Sequence, residues 1–121
     1  MYIQGFVVPV LPGRKEAYRA MAEQAGEMYR RYGAIEVVEA FEEDIRDGHT
    51  TDFRTAVKAE PGEHIVFSWV IWPDKAAAER AEKAMLEGEE MALPEEIPFA
   101  GKRMIYGGFA PIYTLGRQDC R

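Results

Sequence analysis

Cysteine is nearly absent from this chain. Of 121 residues only Cys120 is one, and it stands beside the C-terminal residue. A lone terminal thiol builds no disulfide framework, which points to a reducing, cytoplasmic setting. Histidine is scarce as well, with only His49 and His64. Both lie far from Cys120 in sequence, so a His/Cys metal cluster is excluded. Two histidines with Asp52, or haem on one axial histidine, lack a supporting motif, and the expectation is no metal and no cofactor. Serine occurs once, as Ser68, with no acid–base pair nearby in sequence, so it reads as a strand hydroxyl rather than a nucleophile. No apolar run reaches the roughly 18 residues of a membrane span. The opening MYIQGFVVPV lacks a basic region and a cleavage site, so it reads as a strand and not a signal peptide. Positive charge is in deficit too: 15 Lys and Arg against 21 Asp and Glu give a net charge of −6. That argues against general nucleic-acid binding, which depends on neutralising phosphates. The acidic EAFEEDIRDG (39–48) reads as a solvated edge.

What is present suits one soluble domain with one core, over residues 1–115, followed by a polar tail at 116–121. A strand is expected from Tyr2 to about Val10, with Pro9 and Pro12 suggesting that its end leaves the sheet or lies on an edge. Apolar residues Tyr18, Met21, Ala22, Ala25, Met28 and Tyr29 then recur at helical spacing, predicting a helix over 14–32 that Gly33 stops in a left-handed cap. A second strand follows over 34–43. The segment His49–Glu63 has no clean period; Thr51 or Asp52 is placed to cap a short helical turn ending near Val57. HIVFSWVIW (64–72) is the strongest strand signal in the chain. Asp74 can cap a second long helix over 75–90, and a last strand is expected over 102–113. The order βαββαβ is the ferredoxin-like pattern of α+β folds, an antiparallel sheet with both helices on one face.

The strands do not alternate apolar and polar as a sheet with one wet face should. Ile65, Phe67, Trp69 and Ile71 point one way, Val66, Val70 and Trp72 the other. Ile3 and Val7 oppose Phe6, Val8 and Val10; Ile105 and Phe109 oppose Met104 and Tyr106. A second apolar face needs a cover. The expected cover is a second copy: a homodimer joined sheet to sheet, forming a dimeric α/β barrel with the helices outside.

GKRMIYGGF (101–109) has glycines at both ends, yet it is no phosphate loop. Glu96 stands where a Walker loop needs glycine, Arg103 where it needs Ser or Thr, and a strand follows instead of a helix. Its glycines read as a bulge or a close approach of neighbours.

GFVVPV (5–10), IVFSWV (65–70) and PFAGKRMIYGGF (98–109) resemble the uncharacterised bacterial YbaA-like family of the dimeric α/β-barrel superfamily. The likeness extends over nearly the whole chain and implies the fold already argued. It brings no established reaction and no catalytic residue. The acidic, compact connection at 87–98 departs from the longer, more polar one of that family.

For a site, the long His49–Glu63 connection is the open case, since long links between neighbouring strands are often functional. As a flap it would close a pocket with His64 and Tyr106 as catalytic groups, His64 acting as a base near neutral pH. Asp52, Arg54, Trp69 and Arg103 would bind the ligand, with Arg103 clamping an anionic group and Trp69 holding a flat apolar one. Regular alternation sends Arg103 and Tyr106 to opposite faces, so Tyr106 with His64 is the firmer pair. The reading that follows is a metal-free enzyme on a small aromatic or polyketide-like substrate. The alternative is a non-catalytic homodimer that binds a small ligand or serves as an accessory protein.

Overall fold

The structure is a computed structural model and describes residues 1–88 and 96–116. Its elements are β1 (Tyr2–Val10), α1 (Lys15–Arg31), β2 (Glu36–Phe41), α2 (Phe53–Ala56), β3 (His64–Trp72), α3 (Lys75–Gly88), a 3-10 turn (Gly101–Arg103) and β4 (Ile105–Phe109). The strands form one sheet in the order β2-β3-β1-β4, and every neighbouring pair is antiparallel. Residues 89–90 of the expected second long helix, much of the 87–98 connection and Cys120 lie outside the described residues.

Local chemistry sets the element ends. Gly33, at φ 109°, follows α1. Its N–H donates to the Arg30 carbonyl and that of Ala34 to Tyr29, the paired bonds of a Schellman cap. Asp52 caps α2 by accepting from the Thr55 N–H at 2.8 Å. Asp74 does the same for α3, accepting from Ala77 at 2.7 Å.

Cross-strand register fixes the faces. Glu39, Ser68, Phe6 and Tyr106 form one row across the sheet, and Val38, Trp69, Gly5 and Gly107 form the next, on the opposite face. The first face carries α1 and α3. Val70 and Trp72 pack there with Ala77, Ala78 and Ala81 of α3, and Val8, Val10 and Val66 pack with Tyr18 and Ala22 of α1. Trp72, 1% exposed, satisfies its buried indole N–H on Gln4 Oε1 at 2.8 Å.

The opposite face has no long helix. The loop after β2 crosses one end of it, where Val57 packs on Val7 and Ile65 with help from Ile45 and Ala59. Elsewhere, among the described residues, Phe53 rests on Phe67, and Tyr113, Thr114 and Leu115 border the face, which still leaves Phe67, Ile105 and Phe109 44%, 45% and 56% exposed.

Two expectations need correction, and a third resolves to one of its alternatives. The last strand is Ile105–Phe109, not 102–113: Lys102 and Arg103 belong to the 3-10 turn, whose Met104 N–H returns to the Gly101 carbonyl. At the other end Pro111 has no N–H to extend a ladder. No bulge interrupts β4, since its register with β1 is continuous from Ile105 to Phe109. The glycine there answers a close approach instead: a Cβ on Gly108 would overlap the hydroxyl end of the Tyr2 side chain. Of the two alternatives for Pro9, the edge holds, and it does not leave the sheet. It stays paired with β3, opposite Ile65, at a point where the β4 ladder has already ended, and its carbonyl accepts from the Ala100 N–H.

Candidate functional site: a groove between α1 and β2

The six residues expected to share a pocket do not all converge: Arg54 shares Glu42 with His64 and Glu63 with Arg103, while Trp69 and Tyr106 stand apart. His64 and Tyr106 are on the same, helix-bearing face. They pair with Val10 and Phe6 on opposite sides of β1, about 13 Å apart along the strand and about 10 Å across it. Tyr106 stacks on Phe6 and is 72% exposed. Trp69 is on the other face, its indole N–H donating to Glu36 Oε2 at 2.8 Å.

The remaining residues are engaged by backbone hydrogen bonds and carboxylates. Asp52 accepts from both Thr55 and Gly48 backbone N–H groups, and these bonds hold its pKa below the usual range. Arg54 donates to Glu42 Oε2 at 2.7 Å and to the Glu63 carbonyl at 2.9 Å. His64 Nδ1 faces that same Glu42 oxygen at 3.4 Å, outside good hydrogen-bond geometry, and its ring lies on Phe41. Partial burial raises the pKa of Glu42, but the Ile65 N–H, His64 and Arg54 together outweigh it, leaving the carboxyl more acidic than usual. Arg103 fastens to Glu63 and to the Lys58 carbonyl. The charges of the His49–Glu63 loop thus bind it down over Val7 and Ile65, and it closes no pocket common to His64, Trp69 and Tyr106.

A sizeable concavity lies elsewhere. A groove of about 820 Å³ runs between α1 and β2. It exists because α1 presents small residues, Ala22 and Gly26, toward the strand. A Cβ on Gly26 would still stand 3.8 Å from Val37 Cγ1, an ordinary contact that leaves room. Val37, Phe41 and Val66 make the sheet side apolar. One polar group interrupts that surface: Glu39, between Val37 and Phe41 on the same face of β2.

Glu39 Oε1 accepts the Tyr18 hydroxyl at 2.7 Å. Ser68, directly across on β3 and 4% exposed, hydrogen-bonds to it as well. Its side chain is open toward the groove, while its carboxylate end is crowded by protein. That crowding raises its pKa, and the two hydroxyl bonds only partly offset the rise. Burial and the nearby carboxylate push the Tyr18 phenol far above its ordinary value, so it remains a donor at any ordinary pH. Burial, then the charge of Glu39, raises Tyr29 too. Sequence reading missed Tyr18 and Glu39. The available signal was the period of EVVEAF, where a carboxylate alternates with Val37 and Phe41 on an inward face.

Among the described residues no group of three or more His, Cys, Asp or Glu is arranged to hold a metal ion, and no helix is long and apolar enough to cross a membrane.

A four-stranded antiparallel sheet in this order, with two long helices on one face, defines a ferredoxin-like α+β protein. A solved structure of a dimeric ferredoxin-like protein from an uncultured marine organism has the same fold, with a TM-score of 0.59 over 97% of this chain and all of that one, at 8% identity. Residues 1–101 match the family described as proteins of unknown function, DUF1428, and the chain belongs to that family. It is 46% identical over 112 residues to the uncharacterised protein YbaA of Escherichia coli K12, covering 92% of this chain and 96% of that protein, and the Shigella flexneri protein matches to the same extent.

Proposed function

We propose that the protein is a homodimeric small-molecule binder. Two copies meet through the sheet face opposite α1 and α3 to make an α/β barrel with those helices outside, and each copy holds its ligand in the groove between α1 and β2. The observation that carries the dimer is the open apolar surface of Phe67, Ile105 and Phe109 around Trp69. A monomer in water gains nothing from such a patch, whereas about 800 Å² on each partner is typical of a stable interface. The ferredoxin-like neighbour is itself described as dimeric, which favours the same arrangement. The single cysteine suits a cytoplasmic setting, and the net charge of −6 disfavours nucleic acid as a partner.

The groove's size and apolar lining suit a small ligand, which it would bind without turnover. Ala22→Phe tests the seat by filling it. Compounds that raise the melting temperature of the wild type should lose that effect in the variant, while the dimer persists. Ligands that stabilise both proteins equally would place the seat elsewhere.

A second reading is a metal-free enzyme on a small aromatic or polyketide-like substrate. The Tyr18–Glu39 hydrogen bond favours it, because it sets an acid–base pair where a bound molecule would touch it. The roles expected of His64 and Tyr106 belong to this reading. Turnover of a quinol-like substrate that survives His64→Ala and Tyr106→Phe but not Glu39→Gln would move the chemistry to the groove.

A further inference from the structure

Two shielded carboxylates, Glu42 and Glu63, each have a cation, and among the described residues the more exposed Glu39 does not. Arg54 lies 2.7 Å from Glu42, and Arg103 lies 2.7 Å from Glu63. Among the described residues no Lys, Arg or His pairs with Glu39, whose partners are the hydroxyls of Tyr18 and Ser68. Two of the cations at the groove's rim are engaged elsewhere: Lys15 Nζ sits 4.7 Å over the Phe41 ring, and Arg19 pairs with Glu23 at 3.4 Å. Besides Glu39 the groove is lined by four cations and three carboxylates, so the rim carries one excess positive charge and sets up only a small net preference. The floor decides it, and the floor carries one carboxylate amid Ala22, Val37 and Val66.

A purely structural acceptor for Tyr18 need not be charged. A Gln amide oxygen would accept the same hydrogen bond without the cost of holding a carboxylate in a crowded place. A charge kept without a cation, facing an open groove, marks a position for a cation from outside.

We propose that the groove takes a small organic amine, its ammonium on Glu39 and its apolar body along Ala22, Val37 and Val66. This deepens the groove reading above and rests on it. The ammonium would donate to the Glu39 carboxylate, whose Oε1 already accepts the Tyr18 hydroxyl, and would complete the ion pair that the fold leaves open.

The test uses two probes of matched shape and opposite charge, phenethylamine and 3-phenylpropionate, titrated at pH 7 into the full-length protein while the amide shifts of groove residues are followed by NMR. The wild type should bind the amine at least about tenfold more tightly. Glu39→Gln, which keeps an acceptor for Tyr18, should erase that preference and leave the spectrum folded. Ala22→Phe should abolish binding of both probes. Equal binding of both probes, indifferent to Glu39→Gln but lost in Ala22→Phe, overturns the amine assignment and leaves the groove as a ligand seat. Preference for the acid has the same consequence and makes the rim cations the recognition element. Absence of groove shifts with either probe overturns both readings.

Discussion

Arg103 grips Glu63 with both arms of its guanidinium, Nη1 to Oε1 and Nη2 to Oε2, each at 2.7 Å. The pair joins the turn before β4 to the loop before β3, across 40 positions of sequence. Glu63 is only 4% exposed, yet it is shielded by a thin layer of its own partners and not by depth. The Arg103 hydrogen bonds outweigh partial desolvation and depress its pKa, as does the Glu60 N–H. A depressed carboxyl pKa contributes stability that is fully present above the unfolded value and is lost as pH falls through the folded one. Glu63→Gln should therefore cost roughly 2 kcal/mol at neutral pH. The deficit should shrink in acid, where the wild type loses its own advantage. Urea midpoints measured from pH 7 down to the acid limit of folding read this out; a deficit constant with pH would contradict it.

Glu39 should behave in the opposite sense. Its folded pKa is raised, so wild-type stability should fall as pH climbs from the ordinary carboxylate range through the raised value. Glu39→Gln has no such slope and should be at least as stable as the wild type at neutral pH. Melting temperatures of the two proteins, plotted against pH, should converge in acid and separate above it.

Two helix ends use the same cap with different residues. After α1 the left-handed position is Gly33; after α2 it is Lys58, at φ 52°. Lys58 and Ala59 donate to the Thr55 and Arg54 carbonyls, the same paired bonds that Gly33 and Ala34 make. A side chain in this region costs about 1 kcal/mol relative to glycine. Lys58→Gly should raise stability by about that amount, and Gly33→Ala should lower it comparably, in denaturant titrations. The Lys58 carbonyl that holds Arg103 is backbone and survives the change.

Gly108 and Tyr2 should be coupled. Any side chain at 108 meets the hydroxyl end of Tyr2, so Gly108→Ala should destabilise the wild type and do so far less in a Tyr2→Ala background. A double-mutant cycle with a coupling above about 1 kcal/mol is expected; additive losses would mean that the ring moves aside freely.

Much of this architecture can be read from one sequence because it depends on local periods. The helical spacing of Tyr18, Ala22 and Ala25 and the alternation in HIVFSWVIW each belong to a single element, and each sets which face of the sheet its residues occupy. The caps at Gly33, Asp52 and Asp74 are local as well. The site was less legible because its parts meet only through register. Nothing in the chain says that Arg103 and Glu63 will lie side by side, so Arg103 passed for a free cation. His64 and Trp69 are neighbours in sequence, but five positions along a strand is an odd number, and they face opposite sides. Glu39 sat in an acidic run and looked solvated; only the pairing of β2 with β3 sets it opposite Ser68 and under Tyr18.

The central claim is that the open sheet face is a dimer interface. Sedimentation equilibrium at micromolar concentration tests it most directly, comparing the wild type with Phe67→Glu, which places a charge in the middle of that face. The wild type should sediment as a dimer, twice the 13.7 kDa of one chain, and the variant as a folded monomer. A wild type that is monomeric throughout the micromolar range would contradict the claim.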